Sequence, residues 1–350
     1  MKKIVFTGGG TGGHIMPNIA LIEQLNDFEI YYIGSNGMEK NILSKFKNVN
    51  FIKIPTVKFH RSLTLKNLTI PFKLLNSIKI AKKELNKINP NIIFSKGGYV
   101  SVPVCFAGNK LKIPIITHES DLSVGLANKL IAKKSKYICC SFKETAEKFG
   151  KNAIFTGSPI RPKIFKGNKN TIINKYKINL NKPIILVIGG SLGSKAINNV
   201  IWKNIEDLSK KYTIIHIVGK NNLNQNIKQR DYIQIEFAEN IEDLFATCDI
   251  VITRAGSNTI FELLSICKPM ILIPLPKNAS RGDQIQNAKN FKSKNFANII
   301  YQEDLNYTNL IKTIENTLEN KNKHIKSMEK AKHFNGNKKL IELINKISTN

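Results

Sequence analysis

Residues 3–17, KIVFTGGGTGGHIMP, decide the fold. The apolar run Ile4–Phe6 does not alternate with polar residues, so it reads as a strand buried on both faces. A glycine-rich loop follows at Gly8–Gly13, and a helix begins near His14. Residues 183–198, PIILVIGGSLGSKAIN, repeat this order of strand, glycine loop and helix start. The chain therefore holds the same architecture twice, without close sequence repetition.

Around these two segments the pattern continues. EIYYIG, NIIFSKGG and IPIITHES read as further strands of the first half. TIIHIVG, IQIEFA, DIVITRAG and PMILIP read as strands of the second. Longer stretches of helical period separate them. Short apolar strands alternating with helices imply parallel sheets covered on both faces. The fold class is α/β, with two Rossmann-like domains whose parallel sheets face a central cleft. The polar segment from Gly157 to about Lys182 is the junction, and two prolines flank Arg161 as a stiff hinge. The domains are expected at 1–160 and 161–334. The amphipathic segment at about 335–350 is expected to return to the first domain.

The 350 residues carry 54 Lys plus Arg against 25 Asp plus Glu, a net charge of +29. Such a surface attracts phosphates or anionic membranes as readily as nucleic acid. A nucleic-acid binder needs a focused basic patch with stacking aromatics. Aromatic residues make up 8% and do not interleave with the basic runs, so nucleic acid is excluded as the main partner. Cysteines 105, 139, 140, 248 and 267 form no CxxC pair and no zinc spacing, and they read as buried thiols of a reducing compartment. The N-terminal apolar run ends at Phe6, too soon for a secretory signal. No stretch of about 18 apolar residues offers a transmembrane helix. A cytoplasmic chain with peripheral membrane contact is expected.

The candidate site residues cluster after strands. Gly8, Gly10 and Gly13 satisfy GxGxxG, a loop whose amides approach an anion at a helix N-terminus. A dinucleotide site also wants an acid at the end of the second strand. EIYYIGSNG ends without one, which argues against NAD(P). The second loop, Gly189–Ser194, again offers amides and hydroxyls to phosphate. Thr253–Glu262, TRAGSNTIFE, leads from a strand into a helix, and the Glu262 carboxylate suits a ribose diol. Taken alone, Glu262 reads as a surface glutamate. Asp283, Gln284 and Asn287 follow in a polar loop, where Asp283 also reads as a helix cap. In the first half, Ser95–Ser101 (SKGGYVS) and Thr117–Asp121 (THESD) end strands, where ligands bind in open α/β sheets. His14, His118, Glu119 and Asp121 are expected to converge there, and any of them suits a general base.

In residues 59–87 a second kind of surface is written. Leu74, Ile78, Ala81, Leu85 and Ile88 form a core stripe at helical spacing, in a helix opened by Pro71. Leu65, Leu68, Phe72 and Leu75 form another apolar set beside Lys58, Arg61, Lys66 and Lys73. That set suits an anionic bilayer surface, or else a wider buried face.

Together these motifs resemble the MurG family of GT-B glycosyltransferases. TGGGTGGHIMP, SKGGYVSVP, HESDLSVGLANKLIA, GSPIR, GGSLGS, FAENIEDLFATCDIVITRAGSNTIFE and DQIQNA match it in order along nearly the whole chain. The resemblance implies UDP-N-acetylglucosamine as donor, held mainly by the second domain. Glu262 would hold the ribose and the main chain at Ala238 the uracil. Arg161 and Ser191 would meet the diphosphate, and Ser257, Asn258, Thr259, Asp283 and Gln284 the sugar. Thr11, Gly12 and Gly13 of the first loop would also face the donor.

The implied acceptor is lipid I, an undecaprenyl-diphosphate-linked muramyl peptide. It would meet Gly12, Gly13, His14, Tyr99, Ser101 and Asn128. Transfer to the muramyl 4-hydroxyl would invert the anomeric carbon and give lipid II for peptidoglycan. His14 would be the base, with Glu119 and Asp121 behind it. No DxD-like metal motif is present, so no cofactor and no obligatory metal is expected. The enzyme would sit on the cytoplasmic face of the cell membrane. Leu192, Asp121 and Ser158 depart from the family's usual Gln, Asn and Asn. A diacylglycerol glycosyltransferase and a sugar-nucleotide epimerase are the neighbouring readings; HESD and SKGGYVS favour lipid I.

Overall fold

Seven parallel strands build the first sheet: β1 (Lys2–Thr7), β2 (Phe28–Gly34), β3 (Val49–Lys53), β4 (Ile92–Ser95), β5 (Ile115–Glu119), β6 (Tyr137–Cys140) and β7 (Ala153–Phe155). They lie in the order β3-β2-β1-β4-β5-β6-β7. The second sheet holds β8 (Ile184–Ile188), β9 (Thr213–Ile217), β10 (Tyr232–Ile235), β11 (Ile250–Thr253), β12 (Met270–Leu272) and β13 (Ala297–Ile299). Its order is β10-β9-β8-β11-β12-β13. Helices connect the strands, as parallel pairing usually requires, except between β9 and β10, which residues 218–231 join without a helix. This computed structural model describes residues 1–10, 12–56, 69–190 and 192–349.

The chain divides into two compact units. One comprises Met1–Arg161 with Phe334–Asn350, the other Pro162–His333. Each is an α/β unit with its own core. In the first, Ile4, Phe6, Ile30, Ile92 and Phe94 pack beneath Ile15, Ile19 and Ile22 of the helix Gly12–Ile22. Leu340, Ile344 and Ile347 of the helix Asn337–Ser348 complete that cluster. On the other face of the sheet, Val5 and Ile93 pack with Ile78, Ala81, Leu85 and Ile88 of the helix Ile70–Ile88. These last four, with the partly buried Leu74 packed against the cluster, are the core stripe read from the sequence, and Pro71 stands in the first turn of that helix. In the second unit, Ile185, Val187, Ile214, Ile250 and Ile252 pack with Ile197, Ile201, Leu310 and Ile314.

Two stretches of chain pass between the units, and within the first unit they are knitted together. Ser158 N donates to Phe334 O at 2.8 Å, and Gly336 N to Ser158 O at 2.8 Å. Asn337 accepts from Ile160 N and donates to Ile160 O, so one buried amide satisfies both sides of that residue's backbone. Gly157 has φ +85, and a Cβ there would lie 2.3 Å from Phe334 O, so only glycine fits between the two stretches.

The helix Asn337–Ser348 is thus an integral part of the first core. Ile344→Ala removes a fully buried side chain and is expected to destabilise that unit by about 2–5 kcal/mol. Urea unfolding followed by far-UV circular dichroism measures it.

Candidate active site

In both sheets the strand order reverses at the central strand. Connections leave β1 one way and β4 the other, and likewise β8 and β11. That reversal leaves a crevice outside the carboxyl ends of the two strands. The register aligns them: Thr7 pairs with Ser95, and Ser95 with Thr117. Gly8, Lys96 and His118 therefore follow side by side. In the second unit Thr253 pairs with Ile188 and Leu272, which aligns Gly189, Arg254 and Ile273.

The first crevice is walled by glycine turns. Gly10 has φ +86 and lies against the Tyr99 ring, where a Cβ would be 2.6 Å from Cε1. A Cβ on Gly98 would be 3.4 Å from the His14 ring. His14 lies in the first turn of the helix Gly12–Ile22, half-buried, with Gly13 exposed beside it. The structure thus brings Gly12, Gly13, His14 and Tyr99 to one place. Thr11 lies outside the described residues.

Other expected groups are given to the loops themselves. Glu119 is buried. Its Oε1 accepts from Asp121 N at 3.0 Å, and its Oε2 from Gly125 N at 3.0 Å and Asn128 Nδ2 at 2.9 Å. Burial, and then the Asp121 charge, raise its pKa. This carboxylate shapes the loop 121–125, and three donors oppose its use as a free base. Asn128 spends its amide on Glu119, on His118 O and on Thr117. Ser101 is fully buried and donates to Gly97 O at 2.8 Å. Asn128 and Ser101, expected near the acceptor, make these bonds around the turn that presents Tyr99. Asp121 is only half-buried.

Two charged groups were not read from the sequence as site residues. Glu39 lies five residues beyond β2 yet folds back beside Gly9, fully buried, and accepts from Ser35 N and Ser35 Oγ. An acid therefore does stand near the first loop, wholly enclosed and turned onto Ser35. Lys96 is 3% exposed and contacts His118 and Ser120. A lysine immediately after four buried strand residues was the available signal for it.

In the second unit Ser194 caps the helix Lys195–Lys203, accepting from Ile197 N. Arg254 reaches Ser194 Oγ at 2.6 Å and Gln302 Oε1 at 2.7 Å, and also donates to Ile273 O and Pro274 O. All these acceptors are neutral, so the guanidinium brings net positive charge behind the second loop. Sequence reading passed over it. Ser191 lies outside the described residues; its neighbour Leu192 is exposed. Ser257, Asn258 and Thr259 form the first turn of the helix Ser257–Ser265, and Glu262 is buried in the same helix. Asp283 and Gln284 open the helix Asp283–Ser293, and Gln284 Oε1 accepts from Leu275 N at 3.1 Å. Asn287 Nδ2 donates to Ala255 O at 3.2 Å, which ties the two helix starts together. Ala238 follows β10 and is half-buried. Arg161 is the last residue of the first unit before the chain crosses. Among the described residues no group of three His, Cys, Asp or Glu side chains converges as metal ligands would.

Comparison with known proteins agrees with two sugar-nucleotide-type units. Residues 4–139 match the glycosyltransferase family 28 N-terminal domain, and residues 184–344 match the family 28 C-terminal domain. The chain belongs to glycosyltransferase family 28. A Clostridium botulinum (strain Kyoto / Type A2) protein is 45% identical over 99% of both chains, and one from Clostridium perfringens is 44% identical over 98% of both. Both are named UDP-N-acetylglucosamine--N-acetylmuramyl-(pentapeptide) pyrophosphoryl-undecaprenol N-acetylglucosamine transferase. The crystal structure of Acinetobacter baumannii MurG matches with a TM-score of 0.75 at 24% identity, covering 99% of this chain and 100% of that one. Within family 28 this chain is a member of the MurG family. The UDP-GlcNAc 2-epimerase of Neisseria meningitidis shares the fold, with a TM-score of 0.68 at 15% identity over the full length of both chains.

Two buried histidines set an acid limit on the fold. Burial first, and then the Lys96 charge, hold His118 well below its ordinary pKa; burial alone lowers His216 to about 3. Below the unfolded-state value of about 6.5 the unfolded chain binds protons that these rings refuse, so stability falls as pH drops. Each unit is expected to lose about 1.4 kcal/mol per pH unit from its own histidine below about pH 6. Urea midpoints between pH 7 and pH 4.5 check it, with His216→Gln flattening the response of the second unit.

Proposed function

We propose that the chain transfers N-acetylglucosamine from UDP-N-acetylglucosamine to the muramyl 4-hydroxyl of lipid I, inverting the anomeric carbon and giving lipid II. The observation that carries this reading is the 45% identity to transferases of that name over 99% of both chains. The domains of family 28 divide the work. The first unit takes the acceptor and the second takes the donor.

On the donor side, Glu262 holds the ribose diol and the backbone at Ala238 faces the uracil. Ser257, Asn258, Thr259, Asp283 and Gln284 line the sugar, while Ser191 and Arg161 meet the diphosphate. The charge of departing UDP is met by the amides that open the helix Lys195–Lys203 and by these side chains, rather than by a metal. On the acceptor side, Gly12 and Gly13 approach phosphate and Tyr99 flanks it, while Thr11 faces the donor. His14 takes the hydroxyl proton as C1 is attacked in a single displacement. Its place against the Gly98 turn supports this role. Asp121 is the second choice. Glu119 acts through the loop it shapes, and Asn128 and Ser101 through the turn they hold.

Membrane contact follows from the helix Ile70–Ile88. Phe72 is 76% exposed and Leu75 60% exposed, one turn apart, with Lys73, Lys79 and Lys83 also exposed. Apolar side chains beside basic ones suit a peripheral site on an anionic leaflet, the cytoplasmic face of the cell membrane. Lys58, Arg61, Leu65, Lys66 and Leu68, read as part of the same surface, lie outside the described residues. No helix among the described residues is long and apolar enough to cross a membrane.

The decisive assay is UDP release with each substrate omitted in turn. Release that needs both UDP-N-acetylglucosamine and a lipid I analogue, with a new disaccharide product, is expected; release with diacylglycerol instead sinks the acceptor assignment. Glu262→Ala is expected to raise KM for the donor roughly 10–100-fold, the worth of hydrogen bonds to a charged group. Isothermal titration with UDP checks that loss separately from turnover. Phe72→Ser with Leu75→Ser is expected to cut co-sedimentation with phosphatidylglycerol vesicles by at least about tenfold while leaving the circular dichroism spectrum unchanged.

A further inference from the structure

Lys96 is the one buried cation beneath the first crevice, among the described residues, that the proposed reaction leaves without a task. Its ammonium lies 2.7 Å from His118 Nδ1 and donates to Ser120 Oγ. The groups facing it are His118, the carboxylates of Glu119 and Asp121, and the thiols of Cys139 and Cys140 on β6. Burial lowers its pKa to about 8, while both carboxylates act to raise it, so it carries its proton at neutral pH. An ammonium has three donors and no acceptor. His118 Nδ1 must therefore accept, and the proton of this neutral ring resides on Nε2. There it meets Gly157 O at 3.0 Å.

Each end of this chain of bonds sits at a place that matters. Lys96 directly precedes Gly97 and Gly98, the turn against which His14 and Gly9 pack. Gly97 cannot shift freely, since its own φ is +87 and a Cβ there would lie 2.3 Å from Asn128 Oδ1. At the other end, Gly157 begins the first of the two stretches that leave for the second unit. It packs against the second at Phe334 and Gly336.

We propose that Lys96 is a positioning residue that acts through His118: its ammonium holds Nδ1 while the Gly157 carbonyl, which can only accept, takes the Nε2–H, and the ring so joins the His14-bearing turn to the paired crossing segments. His118 is then a fixed strut and takes no part in proton transfer. The consequence for turnover rests on the transferase reading above, but the tautomer does not.

The test uses the full chain labelled with ¹⁵N-histidine, with His118 assigned by its loss in His118→Gln. Long-range ¹H–¹⁵N correlation at pH 7 is expected to show His118 as the neutral Nε2–H form, unchanged between pH 5.5 and 7.5. An Nδ1–H or charged ring in the wild-type protein overturns the proposal without any substitution at Lys96. Lys96→Met, of similar length and without a donor, is expected to remove the hydrogen bond at Nδ1, read as a shift of that ¹⁵N resonance toward an unbonded ring nitrogen, while the Gly157 carbonyl keeps the proton on Nε2. It is also expected to lower kcat roughly 10–100-fold, as misplacement of a catalytic group does, with donor KM within about twofold. A Lys96→Met protein whose His118 Nδ1 resonance is unchanged, or that keeps wild-type kcat, overturns it. If the wild-type protein shows no transferase turnover, the functional reading fails while the tautomer measurements still decide the assignment of Lys96 and His118.

Discussion

A parallel sheet in which connections run outward both ways from one strand cannot be closed at that point by its own helices. In this chain that point falls between β1 and β4 in one unit and between β8 and β11 in the other. The rest of the site follows from this constraint. Loops that leave adjacent strands in opposite directions open a crevice, and helices starting there direct their unpaired N–H groups at it. Glycine is needed where two such loops approach closely. Gly10 against Tyr99, and Gly98 against Gly9 and His14, are the places where a side chain would close the first crevice.

The crevices rest on buried polar groups. Glu39, Lys96 and Glu119 lie behind the first, and the half-buried Arg254 behind the second. Burying charge this way is costly, and apolar replacements of similar shape often give equal or greater stability. What these groups add is direction. Glu119 orders two loop amides and the Asn128 side chain of the helix Leu126–Ala132 that follows, and Arg254 joins Ser194, Gln302 and the end of β12. The arrangement behind Lys96 is of the same kind, with a donor-only group at Nδ1 and a carbonyl at Nε2 holding the His118 ring between them.

The fold was legible because its signal is local. Unbroken runs such as Ile4–Phe6 and Ile184–Ile188 can only be strands covered on both sides, and a glycine loop after each marks the turn into a helix. The stripe from Ile78 to Ile88 was legible for the same reason, since a 3.6-residue period is written in consecutive turns. The division of labour within the site was not. Glu119 and Asn128 carry side chains that could serve a ligand or a loop with equal chemistry, and only their partners decide. Glu39 was missed because its carboxylate returns to Gly9 through tertiary packing, from five residues past the strand where an acid was sought. Arg254 sits in a motif that was noticed for its hydroxyls, and nothing in its neighbours along the chain names Gln302 as a partner.

The overall charge of +29 then takes a narrower meaning. Most of the lysines are on solvated faces, where each adds to a diffuse field and little to any one contact. The cations that bear on the site are few and held by packing. Arg254 is fixed by four hydrogen bonds, and its burial strengthens its field at the second loop relative to any exposed lysine. Lys96, equally fixed, is balanced nearby by Glu119 and Asp121, so its charge is spent within the first unit. The two crevices are therefore electrostatically unlike despite their shared topology. The second holds a guanidinium whose four hydrogen-bond partners are all neutral. The first sets its ammonium against the carboxylates of Glu119 and Asp121.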